Sequence, residues 1–111
     1  MSNGVAAKTT IAGYEAAAEL FGVLSTPIRL RIIGALCGNE KNVTQLLQEI
    51  AVSQPNMSQQ LNVLYRAGVV DKRRDGAQMY YRIADETVVR VCKAVCALTD
   101  DGTEGREARA N

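Results

Sequence analysis

Between Asn42 and Gly68 the chain carries two short amphipathic segments separated by a brief joint, and no other feature constrains its fold as strongly. Asn42 is a helix-capping residue type, and behind it Val43, Leu46, Leu47 and Ile50 recur at helical spacing up to about Ala51. After Val52, Ser53 caps a second segment in which Met57, Leu61 and Leu64 are the inward positions and Gly68 is the stop. Two short capped helices with a tight joint are a helix-turn-helix pattern.

The flanking segments complete the plan. Val69 to Arg74 and Gln78 to Ile83 are β-prone and separated by Asp75, Gly76 and Ala77, so a hairpin, or wing, follows the second helix of the pair. Upstream, Tyr14, Ala17, Ala18, Phe21 and Leu24 mark a first helix over about 11–24. Thr26 and Pro27 start a second helix that runs to about Cys37, ahead of Gly38. Downstream, Asp85 caps a last helix with Val88, Val91, Cys92, Val95 and Leu98 on one stripe. That stripe exceeds what a chain end needs for its own core, and it is read as part of a dimer interface. The expected fold is mainly α with a small β-hairpin, a dimeric winged helix-turn-helix over 10–98. The polar ends, 1–9 and 99–111, are expected to be mobile.

With 111 residues the chain has room for one modest core, which a second copy would usefully extend. No stretch reaches the roughly 18 apolar residues of a membrane span. Lys8, Glu15 and Glu19 interrupt any leader-like core, so a cytoplasmic location without membrane contact is expected. The three cysteines, an odd number, are expected to start as free thiols there. There is no His to form an ordinary nucleophile–base pair and no Gly-rich phosphate loop, so neither enzyme activity nor a cofactor is expected.

A net charge of +1 does not by itself point to nucleic acid. Local chemistry does. Ser53, Gln54, Asn56, Ser58, Gln59 and Asn62 line the face of the fourth helix opposite its apolar positions, and no acid occurs from Ser53 to Leu64. Amides and hydroxyls read base edges, whereas carboxylates would repel phosphate. Lys72, Arg73 and Arg74, with Arg82 and Gln78 beside them on the wing, offer phosphate contacts. The plainer alternative is a solvated helix and hairpin edge. A protein-interaction module that does not bind DNA is a further rival, and salt-dependent DNA binding would count against it.

The segments TPIRLRIIGALCGNE, NVTQLLQEIAVSQPNMSQQLNVLYRAGVV and DKRRDGAQMYYRI, occurring in that order, resemble the ArsR/SmtB winged-helix repressors over about residues 18–97. The resemblance implies a homodimer built on the first and last helices that covers a palindromic double-stranded operator until a small inducer releases it. The half-sites would lie about one helical turn, ~34 Å, apart.

The effector is less constrained. The Cys-x-Cys motif by which some members sense arsenic, cadmium or lead is replaced here by Val43, Thr44, Gln45 and Leu46, and members sensing zinc, nickel or cobalt use His, which this chain lacks. There remain Cys37 at the end of the second helix and Cys92 and Cys96 on the last. Each is also a candidate for simple burial. The chain resembles most closely the persulfide-responsive BigR/SqrR-type branch, which senses through one cysteine on each of those helices. Cys37 lies about one turn later, and Cys96 about one turn earlier, than that branch's pair. On this reading Cys37, Cys92 and Cys96 are the effector-sensing residues, with Cys37 linked to Cys96, or else to Cys92, by reactive sulfur or oxidation, and Lys93 helps form the Cys96 thiolate. Cys92 and Cys96 are poorly spaced for a disulfide, because Cβ atoms one turn apart are ~5–6 Å from each other. A rival effector is trivalent arsenic or antimony held by Cys37, Cys92 and Cys96 as three thiolates.

Overall fold

The computed structural model describes residues 8–110, with side chains through Thr99. Five helices appear in order: α1 (Ile11–Val23), α2 (Pro27–Leu36), α3 (Val43–Glu49), α4 (Gln54–Arg66) and α5 (Glu86–Ala110). Three strands complete the fold: β1 (Lys41–Asn42), β2 (Val70–Asp75) and β3 (Gln78–Ile83). All are antiparallel, with β3 in the middle, between β1 and β2.

The helix starts are set by local chemistry. The Thr26 hydroxyl accepts from the Arg29 amide ahead of Pro27, and the Ser53 hydroxyl accepts from the Asn56 amide. Asn42 and Gln45 exchange side-chain and backbone bonds of 2.8 Å in a reciprocal capping box. At the end of α4, the Gly68 amide donates to the Tyr65 carbonyl and the Val69 amide to that of Leu64, both at 3.0 Å. This is a Schellman stop, and it requires the left-handed backbone that Gly68 adopts at φ +79°.

The core holds Ile32, Ile33, Leu36, Leu46, Ile50, Met57, Leu61, Leu64, Val69 and Val70, with Leu24, Val88, Val89 and Cys92 at its edge. The three inward positions of α4 expected from the sequence are fully buried. α1 differs: none of its residues is buried, and Ile11, Tyr14 and Phe21 are 77%, 65% and 59% exposed. The apolar stripe on α5 divides. Val88 and Cys92, with Val89, enter the core, whereas Val95 and Leu98 are 51% and 75% exposed. Among the described residues, the apolar surface of α1 and of α5 at Val95 and Leu98 is therefore left without a partner.

Three features depart from the sequence reading. The hairpin gains a third strand, because Lys41 and Asn42 lie opposite Tyr81 and Tyr80. The first wing strand is Val70–Asp75, one residue later than expected, and the turn contains only Gly76 and Ala77, with Gly76 at φ +64°. The last helix runs to Ala110, past the Leu98 at which the sequence reading stopped it. The segment contains no proline, and Glu104, Arg106, Glu107, Ala108, Arg109 and Ala110 are good helix formers. Of the expected mobile start, only Lys8 and Thr9 fall within the described residues. No helix among these residues is long and apolar enough to cross a membrane.

Candidate nucleic-acid interface and cysteine cavity

Burial of Met57, Leu61 and Leu64 fixes the rotation of α4, and so fixes what it shows to solvent. Gln54, Ser58, Gln59 and Asn62 are exposed, as is the capping Ser53, while Asn56 is half-buried. The polar face read from sequence is thus present on one side of α4, with one member drawn inward. Gln60 was not singled out from sequence. Its side chain donates to Asn56 Oδ1 at 3.0 Å and accepts from Arg29 Nε at 2.9 Å.

The basic residues of the wing do not act as one stripe. In an antiparallel ladder, opposed residues share a face, so Lys72 and Arg74 lie with Tyr81 and Met79, whereas Arg73 lies with Tyr80 and Arg82 with Asp71. Lys72 Nζ lies 4.4 Å from the ring centre of Tyr65 on α4, which ties its face to α4. On the other face Arg73 is engaged. Glu40 accepts from its Nε at 2.9 Å and from Nη2 at 2.6 Å, Asp75 lies 3.7 Å away, and the guanidinium sits 4.9 Å from the Tyr80 ring centre. Arg82 lies 3.6 Å from Asp71. The Arg73 hydrogen bonds hold the Glu40 carboxyl below the usual carboxylate range, and Glu40 in turn raises Arg73. Arg74 and Gln78 are exposed near the wing tip. Sequence reasoning missed Glu40 because its partner lies 33 residues away and nothing local marks it.

All three cysteines are free thiols. Cys37 caps the C-terminal end of α2, and Cys92 and Cys96 lie on α5. They line one apolar cavity of about 180 Å³ together with Leu30, Ile33 and Lys93. Burial and the adjacent Cys96 push the Cys92 thiol up. A neighbouring apolar groove of about 110 Å³ is lined by Phe21 and Leu24, by Leu30, and by Val91, Cys92, Val95 and Cys96 of α5. The cysteine cavity therefore adjoins the unpartnered apolar surface of α1 and α5. Among the described residues no group of three or more Cys, Asp or Glu side chains is placed to hold a metal ion, so the three thiols do not form a ready-made three-coordinate site.

Residues 26–72 match the family model described as "Bacterial regulatory protein, arsR family". The chain is 38% identical over 81 residues to the biofilm growth-associated repressor of Agrobacterium fabrum, covering 73% of this chain and 69% of that protein. Its fold is similar to the crystal structure of the transcriptional repressor BigR from Xylella fastidiosa, with a TM-score of 0.72, 34% identity, and coverage of 77% of this chain and 87% of that one. It is also similar to the solution structure of a homodimeric winged helix-turn-helix DNA-binding domain from Mycobacterium bovis, with a TM-score of 0.72 and 30% identity over 81% of this chain and 83% of that one. This chain belongs to the ArsR family of winged helix-turn-helix regulatory proteins.

Proposed function

We propose that the chain is a homodimeric transcriptional repressor that binds a palindromic operator through α4 and the wing and is released when a thiol-directed signal modifies Cys37 and Cys96. The observation that carries the DNA reading is the acid-free polar face of α4, held outward by its buried apolar face and flanked by Lys72 and Arg74. Dimerisation through α1 and α5 is supported by their exposed apolar surface and by the homodimeric relative.

The shared cavity supports the thiol reading, because a signal there acts on α2 and α5 at once. With an organic persulfide the chemistry balances. One cysteine thiolate attacks the outer sulfur of RSSH and expels RS⁻, giving a protein persulfide. The second thiolate then attacks the protein-bound sulfur, forming a disulfide and releasing hydrosulfide. Two thiols are oxidised and one persulfide is reduced to RSH and H₂S. A link between α2 and α5 would alter the spacing of the two recognition helices. It would also pull on the loop after Cys37, where Glu40 holds the wing through Arg73.

A gel-shift titration on DNA upstream of the chain's own gene tests this, comparing reduced, persulfide-treated and arsenite-treated protein with Cys37→Ser. Release by persulfide that is lost in the variant supports the sulfur switch. Release by arsenite that needs all three cysteines overturns it in favour of a three-thiolate site, and unchanged binding throughout leaves the cysteines as packing. Failure of the reduced protein to bind removes the repressor reading.

A further inference from the structure

Arg29 of α2 joins three elements. Its Nη1 donates to the Val23 carbonyl at the end of α1 at 3.0 Å, and its Nε donates to Gln60 Oε1 on α4 at 2.9 Å. Gln60 Nε2 donates in turn to Asn56 Oδ1 at 3.0 Å. This chain of bonds has a direction. A guanidinium has donors only, so Gln60 must turn its oxygen to Arg29 and its amide nitrogen to Asn56. Asn56 must then turn its oxygen to Gln60, which leaves its NH₂ as the end available to a ligand. Arg29, Gln60 and Asn56 are all half-buried, so water competes poorly for these bonds. Asn56 sits in the first turn of α4, the part of a recognition helix that reaches base edges.

We infer that Arg29 and Gln60 are positioning residues that fix the polarity of Asn56, so that it presents a donor to the operator. It therefore reads an acceptor edge, with guanine O6 and N7 favoured, and not the paired donor and acceptor of adenine that an unconstrained asparagine would match. This rests on the reading of α4 as the DNA-recognition helix.

The test is selection of sites from a random duplex library by the full-length wild type, Gln60→Glu, Gln60→Leu and Asn56→Ala, followed by affinity titration on each single-base variant of the selected half-site. In Gln60→Glu the new carboxylate still accepts from Arg29 but has no proton for Asn56. The Asn56 amide turns over and presents its oxygen. At one base pair per half-site, preference should move from guanine to a base offering a donor, by on the order of fivefold. The added negative charge should weaken all sequences alike. Gln60→Leu frees both ends of Asn56 and should shift the same position towards adenine, and Asn56→Ala should flatten it. Unchanged base preference in both Gln60 variants, with only a uniform loss of affinity, overturns the inference. Wild-type protein that selects no sequence overturns the DNA reading beneath it.

Discussion

Replacing Phe21 with alanine should dissociate the dimer without unfolding the subunit. Phe21 exposes 59% of its surface in the single subunit, which for a phenylalanine of roughly 200 Å² is about 120 Å² of apolar area. Covering that area is worth about 3 kcal/mol at ~25 cal/mol per Å². Two-fold symmetry makes the change appear twice, for an upper bound of about 6 kcal/mol per dimer. Alanine retains part of the contact and the partner covers only part of the ring, so about half of this, ~3 kcal/mol, is the working figure. That corresponds to roughly a hundredfold rise in the dimer Kd. Sedimentation velocity over a concentration series reads the Kd directly. A circular dichroism melt at fixed low concentration, where both proteins are monomeric, should be nearly unchanged, since no residue of α1 is buried. A variant that dimerises within threefold of wild type would refute the assignment of this surface, as would a wild type that is monomeric at tens of micromolar.

Four further outcomes are expected. Glu40→Gln removes the negative charge and one of the two acceptor oxygens that occupy Arg73, so DNA binding should tighten and the slope of log K against log salt should steepen by about 0.9, one added phosphate contact; an unchanged slope would leave Arg73 off the DNA. Because Arg73 lowers the Glu40 carboxyl, the pair should contribute above the ordinary carboxylate range and be lost only as pH falls through the depressed value, so the difference between wild type and Glu40→Gln should vanish in acid. In Gly68→Ala the new methyl meets open space but the backbone stays at φ +79°, which should cost about 1–2 kcal/mol and lower the urea midpoint without changing its slope. Burial raises the Cys92 thiol, so in mass-mapped alkylation at neutral pH it should label more slowly than Cys37 or Cys96 and catch up as pH rises; equal rates would mean that the helix opens around it.

Most of the plan of this domain was legible in the sequence because it is written in local chemistry. Asn42, Ser53, Thr26 and Asp85 cap helices through bonds to backbone two or three residues away. Gly68 and Gly76 mark reversals that other residues resist, and the spacing of Met57, Leu61 and Leu64 is enough to decide which face of α4 is polar. Tertiary structure decided what depends on residues far apart in the chain. The strand at Lys41 forms only because Tyr81 and Tyr80 of the hairpin come alongside it, and Glu40 meets Arg73 across the same sheet. The pleat divides a run of three basic residues between two faces, one held against Tyr65 and the other neutralised by acids. Composition registered that run as charge but could not show which of its members are engaged. Cys37 shares a cavity with Cys92 and Cys96 because α2 and α5 pack together. Likewise Asn56 is bonded to an arginine on another helix through Gln60, a residue that nothing local in the chain singles out.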